Sequence, residues 1–456
     1  MTGRPDQGPP AASAAAPESL RAELSALVRG AQSEWPAPSV SAAVARRGEI
    51  VWGETVGVAN AETGDEATPD HQYRIGSITK TFTAVAIMQL RDAGKLDLED
   101  PLDWHLDGVP HKSTIRRMLS HSSGLQREPP GDVWETMRFT EGDEFLRSSA
   151  EAEQVLPPGS HFHYSNLAFA LLGEVVARVS GQPWEQYLGE HVLQPLGLTR
   201  TSVRKQAPAA QGYFVDPYAD SVHEEPADLD IGATAAAGAL WSTPADLARW
   251  AAFFSDPNPD VLSGDTVEEM QTFQTMVDIE AWKLGFGLGL QLFREGERIF
   301  AGHGGAMPGF LAMVVASRKE GTGAVLLTNS GAAHGVQDLA LKLAVKAAEA
   351  FPAEPESWRV RDPAPPELEG VLGRWWSEGG EWVFRWRGGE LVAKPETPDP
   401  VVPTRFRRED ADRYRAITGS ERGEQLRIVR GDDGAVTRLY FATYPFTRTP
   451  ETFSGE

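Results

Sequence analysis

The sequence contains no cysteine, which removes disulfides, thiolate nucleophiles and cysteine-ligated zinc from consideration together. It has no stretch approaching the roughly 20 apolar residues of a membrane-spanning helix. Its opening, MTGRPDQGPPAASAAAPES, carries one arginine and scattered prolines where a signal peptide has a leucine-rich core. A cytoplasmic location without a membrane partner is therefore expected. Positive charge is scarce: 43 Lys and Arg against 65 Asp and Glu leave a net charge of -22. Nucleic acid and anionic membranes repel such a chain. Three reactive signatures are also missing, the Gly-x-Ser-x-Gly elbow, His-Glu-x-x-His and the phosphate-cradling Gly-x-x-x-x-Gly-Lys-Ser.

What remains is an ordinary globular composition, 41% hydrophobic and 24% charged over 456 residues. That length suits one large core and a second small domain. The most informative stretch is Arg74-Ile75-Gly76-Ser77-Ile78-Thr79-Lys80-Thr81-Phe82, followed by Val85, Ala86, Met88 and Leu90 with no glycine or proline until Gly94. This reads as a buried helix with Ser77 and Lys80 in its first turn, on one face at i and i+3. Burial and the positive end of the helix dipole both disfavour a charged lysine, so Lys80 can hold a neutral amine able to take the Ser77 proton. Ser202 and Lys205 repeat the spacing. That copy lies between two loops, with no apolar helix behind it.

Two further segments sit at element boundaries. Tyr164-Ser165-Asn166 precedes the apolar helix Leu167 to Val176. A tyrosine beside a cationic lysine ionises more easily and can act as the base, and the Asn166 amide can orient both the lysine and a substrate. His303-Gly304-Gly305-Ala306 ends a predicted strand, and glycines there permit close approach to the backbone. His303 can donate to substrate, and the Ala306 N–H can join that of Ser77 as an oxyanion hole. His121, in Leu119-Ser120-His121-Ser122-Ser123-Gly124-Leu125, is read as a loop histidine holding a turn.

In chain order, residues 1–18 read as a disordered Pro/Ala leader. A helix capped by Ser19 and ending at Gly30 carries Leu20, Leu24, Leu27 and Val28. Val40 to Ala45 and Ile50 to Val56 form a hairpin about Arg47-Gly48. A mainly helical block runs from Thr81 to about Met276. Strands then return at Leu288 to Phe293, Ile299 to His303, Phe310 to Ser317 and Ala324 to Asn329, followed by a helix with Val336, Ala340, Leu343 and Ala347 on one face. Strands at both ends of the region predict an antiparallel sheet assembled from the two ends and flanked by helices. A Pro/Glu-rich linker, 353–366, leads to short strands in 367–456, predicting a small all-β barrel.

Ser77-x-x-Lys80, Tyr164-x-Asn166 and His303-x-Gly305, in that order, resemble the serine beta-lactamase and penicillin-binding protein superfamily. Tyrosine in the second motif is similar to the class C branch, with its D-aminopeptidases, D-Ala-D-Ala carboxypeptidases and esterases. Arg117 to Leu125 looks like that branch's LLSHTSG loop, and Pro157-Pro158-Gly159 and Thr243-Pro244-Ala245-Asp246-Leu247 are likewise familiar. The likeness covers residues 19–352, and the tail looks like the lipocalin-like domains of some relatives. The resemblance implies an α/β (α+β) beta-lactamase/transpeptidase-like fold with a helical subdomain. It also implies a serine hydrolase of the class C-like family, in which Ser77, Lys80 and Tyr164 are catalytic while Asn166, His303, Gly305 and Ala306 bind substrate, with no cofactor or metal.

The expected reaction is hydrolysis of a small ester, amide or peptide, of the esterase, amidase or D-aminopeptidase type, through a Ser77 acyl-enzyme, with the base left open between Lys80 and Tyr164. One departure bears on substrate. Most class C enzymes and carboxypeptidases have lysine where this chain has His303, which is mostly neutral near pH 7. That disfavours carboxylate-bearing penicillins and D-Ala-D-Ala ends. A carboxypeptidase or beta-lactamase, a transacylase or peptide cyclase, and a non-catalytic binding module are the alternatives. Oligomeric state is not legible.

Overall fold

The computed structural model describes residues 15–219, 221–226, 229–351, 360, 362–398 and 401–451. Most of the expected leader (1–14) and much of the expected linker (353–359 and 361) lie outside the described residues. The chain divides into two compact units, Met1–Ala353 and Glu354–Glu456.

The first unit is built on a nine-stranded antiparallel sheet. In spatial order its strands are Asp65–Glu66, Glu49–Asn60, Ser39–Arg46, Thr322–Thr328, Phe310–Ser317, Arg298–Met307, Gln291–Glu295, Leu284–Phe286 and Thr275–Met276. Ser39–Arg46 pairs with Thr322–Thr328 from Val40↔Thr328 to Arg46↔Thr322, so the two ends of the unit meet at mid-sheet. The first hairpin turns at Arg47 and Gly48, whose φ values of 45° and 84° match the right-handed twist of the flanking strands. Val40, Ala42 and Val44 face a core shared with the terminal helices Glu18–Glu34 and Val336–Ala350. Ala43 and Ala45 face the other way, into the core that holds Leu247, Trp250 and Phe82. A strand buried on both faces needs no strict polar alternation, and Ser39–Arg46 accordingly runs Ala42-Ala43-Val44-Ala45 without a polar residue.

Three boundaries differ from the sequence reading. The first helix starts behind Pro17 rather than Ser19 and passes through Gly30 to Glu34. Its buried stripe of Leu20, Leu24, Val28 and Ala31 outweighs the roughly 1 kcal/mol that an internal glycine costs. The expected strand Leu288 to Phe293 is interrupted: Leu284–Phe286 and Gln291–Glu295 are joined by a turn at Gly287–Leu290, where Gly289 has φ 75°. Third, Arg298–Met307 continues four residues past His303, so the His-Gly-Gly-Ala segment lies inside the strand, not at its end.

The second unit is an eight-stranded antiparallel meander from Gly373 to Phe446, with each strand paired to the next in sequence. Reciprocal backbone bonds between Trp376 and Thr447 (2.9 and 3.0 Å) join its first strand to the chain just beyond its last, so the barrel is nearly closed. Trp375, Phe384, Leu391, Phe406, Phe441 and Phe446 fill its interior.

Candidate active site

Ser77 lies in a single 3₁₀ turn, Gly76–Ile78, that leads into the helix Thr79–Asp92. The turn is pressed against the Arg298–Met307 strand. A methyl group at Gly305 would stand 1.9 Å from the Ile75 carbonyl oxygen, and one at Gly76, whose φ is 49°, would stand 2.6 Å from Ala306 N. The strand glycine therefore admits the chain's own Ser77 turn, where the sequence suggested room for a substrate. Gln291 Oε1 accepts the Gly304 N–H at 2.9 Å on the strand's outer edge. Alternation along a strand then points the Ala306 N–H to that same edge, toward Ser77.

Lys80 is fully buried. Its Nζ is 2.9 Å from Ser77 Oγ and donates at 2.8 Å to the Ala237 carbonyl. The adjoining Ala236 carbonyl is fixed by Thr83 Oγ1 at 2.7 Å, so the lysine is steered from its own helix and from the short Ala235–Gly238 helix. The rings of Tyr164 and Phe169 lie 5.0 and 5.8 Å from Nζ. Burial holds the Lys80 amine well below the usual lysine range, with the Glu128 carboxylate pulling it back up and Arg127 pushing it further down.

Tyr164 hydrogen-bonds with Ser77, its ring stacked on His121 at 4.1 Å with the Arg127 guanidinium 4.9 Å from its centre. Burial pushes the phenol up, only partly offset by the Ser77 hydrogen bond. The sequence reading allowed Tyr164 to ionise easily; its burial opposes that ionisation. His121 does hold a turn. At φ 52°, its carbonyl accepts the His163 N–H at 2.7 Å and its Nδ1 accepts the Ser165 N–H at 3.1 Å, which places Tyr164 between two fixed neighbours.

Asn166 opens the helix Asn166–Ser180, capped by Ser165, whose Oγ accepts the Ala168 N–H at 3.0 Å. The Asn166 amide was expected to orient Lys80; it donates instead to Glu128 Oε1 at 2.6 Å. His303 is buried, with Nδ1 2.5 Å from the Gly304 carbonyl. A carbonyl only accepts, so the proton sits on Nδ1, leaving Nε2 with a lone pair and not the donor that the sequence reading assigned. Burial, and then the nearby Lys80, push the His303 imidazole down to about 3, so it is neutral.

Ser77, Tyr164, Asn166, His303, Gly305 and Ala306 thus line one cavity of about 830 Å³, with Lys80 hydrogen-bonded to Ser77 beneath it. Arg127, Glu128, Trp134, Phe162 and Gln291 line it too and were not singled out from sequence. Arg127 and Glu128 did carry a signal, a charged pair two residues after the His121 loop. The second Ser-x-x-Lys lies elsewhere: Ser202 Oγ donates to the Arg204 carbonyl at 2.6 Å and Lys205 is exposed.

Residues 24–349 match the family model described as Beta-lactamase. The chain belongs to the beta-lactamase family. Residues 364–448 match a domain of unknown function, DUF7586. Penicillin-binding protein 4 of Amycolatopsis lactamdurans is 30% identical over 355 residues, covering 71% of this chain and 89% of that protein. Esterase EstB of Burkholderia gladioli is 34% identical over 225 residues, covering 45% of this chain and 56% of the esterase. Other curated relatives are likewise matched over about half their length, as for Beta-lactamase-like protein 2 of Dictyostelium discoideum at 48%. A D-stereospecific amidohydrolase from Streptomyces sp. superposes with a TM-score of 0.59 at 25% identity, covering 71% of this chain and 98% of that one. The beta-lactamase family is one of serine hydrolases, and its esterase, penicillin-binding and amidase members surround this chain. Among the described residues, no helix is long and apolar enough to cross a membrane.

Proposed function

We propose that this beta-lactamase-family protein hydrolyses small esters or amides through an acyl-enzyme on Ser77. The observation that carries the reading is the buried Lys80 amine 2.9 Å from Ser77 Oγ, its proton affinity lowered by burial. A neutral amine with one N–H on the Ala237 carbonyl turns its lone pair to the serine hydroxyl. Lys80 then takes the Ser77 proton as Oγ attacks the carbonyl carbon. The oxyanion forms beside the Ser77 and Ala306 N–H groups. Tyr164, protonated and bonded to Oγ, passes a proton to the leaving alcohol or amine as the C–O or C–N bond breaks, and is reprotonated from Lys80. Water then attacks the Ser77 ester, releasing the acid and restoring the hydroxyl.

Three features favour this over a carboxypeptidase or beta-lactamase: the neutral His303, the Glu128 carboxylate in the cavity, and likeness to an esterase and a D-stereospecific amidohydrolase. The test is labelling by a fluorophosphonate probe with peptide mapping. Adduct on Ser77, lost in Ser77→Ala together with p-nitrophenyl acetate turnover, is expected. Undiminished labelling of Ser77→Ala refutes the assignment.

A further inference from the structure

The cavity that holds Ser77 continues past the catalytic groups and around the edge of a strand. Arg298–Met307 pairs with Gln291–Glu295 only as far as Gly302, and among the described residues no strand covers that edge from His303 to Met307. One part of the cavity wall, with Ser77, Tyr164 and His303, lies on the face of the sheet packed by the helices Thr79–Asp92 and Asn166–Ser180. Another part lies on the opposite face. There Met313 and Val336 belong to the core shared with the two terminal helices, and Leu284 and Leu311 pack against it. Leu311 and Met313 stand across from Ala306 and Gly304 on the neighbouring strand, so the Gly304–Ala306 edge is a ridge between two lobes. Val277, whose N–H donates to the Leu284 carbonyl at 3.0 Å, adds to the second wall. The ionisable side chains that line the cavity, Arg127, Glu128, Tyr164 and His303, all stand in the catalytic lobe, which leaves the second lobe apolar and uncharged. Beyond Val277 and Leu284 the connecting turn carries Ile279 and Trp282, 74% and 62% exposed. The turn is fixed: Asp278 Oδ1 accepts the Ala281 N–H at 3.0 Å, and Trp282 Nε1 donates to the Ile279 carbonyl at 2.8 Å. Large apolar groups held in water by an ordered turn, next to an apolar cavity wall, mark a binding surface for an apolar group.

Resting on the acyl-enzyme reading, we propose that the acyl donors carry an extended apolar acyl chain, which crosses the Gly304–Ala306 edge and lies in the second lobe against Val277, Leu284 and Met313. The reacting carbon has three substituents to place. Its oxygen sits at the Ser77 and Ala306 N–H groups and its leaving group beside Tyr164, so the acyl chain is the substituent left to follow the edge. Sheets lie about 10 Å from the layer packed on them, so about 5 Å of chain spans the ridge. The first few carbons make that crossing and the later ones are buried. The cleaved bond and the proton path are those given above; the chain adds binding remote from the chemistry, which is felt in kcat/KM.

The test measures kcat/KM for p-nitrophenyl acetate, butanoate, hexanoate and octanoate on the intact chain, each ester below its micelle concentration. A buried methylene is worth about fourfold, so with about three methylenes of the octanoate in the lobe, the octanoate-to-acetate ratio should be about 60-fold, with most of the rise after butanoate. In Val277→Asp, which puts a carboxylate into the apolar lobe, the ratio should fall by about tenfold or more. Trp134→Asp, which puts one into the catalytic lobe, should lower it less. Because each ratio compares two substrates on one protein, a change in the folded fraction cancels. A ratio near unity or below it in the wild type overturns the proposal, as does a ratio retained in Val277→Asp or lost more in Trp134→Asp. Fluorophosphonate labelling of Ser77 separates the two readings. Labelled Ser77 with no preference for the longer chain overturns this proposal alone, whereas absent labelling together with absent turnover of every ester overturns the acyl-enzyme reading and this proposal with it.

Discussion

Replacing Lys80 by methionine should trade activity for pH-independent stability. The wild-type side chain is fully buried, with its amine bonded to the Ser77 hydroxyl and the Ala237 carbonyl. Burial lowers its pKa well below the ordinary value of 10.5. Between that lowered pKa and 10.5 the unfolded chain binds a proton that the folded one does not. Wild-type stability therefore rises with pH in this window, by about 1.4 kcal/mol per unit for one full proton. Below the lowered pKa both states are protonated, and the folded state carries the full cost of a buried charge. Above 10.5 both are neutral and the cost is gone.

Methionine fills a similar volume without a titratable group. It gives up two hydrogen bonds worth about 1 kcal/mol each, so at high pH Lys80→Met should be the less stable protein by roughly 2 kcal/mol. Moving down through the window, the difference should shrink and then reverse. Urea unfolding of both proteins at half-unit pH steps measures this directly, because titrating groups not coupled to Lys80 cancel in the difference, and His121 and His303, which it pushes down, titrate at pH values below their ordinary range. The pH at which the slope appears should match the acid limb of kcat/KM for the wild type, since one amine governs both. Parallel stability curves, or a limb displaced from the slope, would refute a neutral buried base.

Four other outcomes are expected. Tyr164→Phe keeps the stack on His121 and loses the hydroxyl, so kcat should fall by about 10²- to 10⁴-fold, the usual contribution of a positioned acid; stopped-flow ester hydrolysis reads it. Gly305→Ala places a methyl 1.9 Å from the Ile75 carbonyl, and neither backbone yields without displacing Ser77. Chemical denaturation should show a loss of about 1–3 kcal/mol, with a much larger proportional loss of kcat/KM. The His303 ring, with its pKa pushed down to about 3, should show flat proton chemical shifts from pH 5 to 8, and a titration there would remove its assignment as a neutral acceptor. In the second unit, Trp375→Ala opens a filled interior and frees the Val371 carbonyl. Amide exchange across 373–446 should report a loss of about 3–5 kcal/mol.

Local chemistry was readable wherever a short segment sufficed. The lack of cysteine, the lack of a membrane-length apolar run and the excess of acid narrowed the chemistry through composition alone. Ser77 and Lys80 are three residues apart, so one helical turn largely fixes their contact, and burial of the following apolar run followed from its composition. The barrel strands were legible because alternation such as Trp382, Phe384 and Trp386 against Val383 and Arg385 reports one filled side.

Tertiary structure decided the rest, because those facts depend on atoms distant in sequence. The proton position on His303 is set by the carbonyl beside it, and its neutrality by the burial that neighbouring elements impose. Asn166 faces Glu128 rather than Lys80 because the loop after His121 folds against the start of its helix. Gly305 serves the Ile75 carbonyl, some 230 residues earlier in the chain. A sequence specifies which groups exist and which near neighbours share a face; which acceptors stay unpaired in the cavity emerges only when every other donor has been placed.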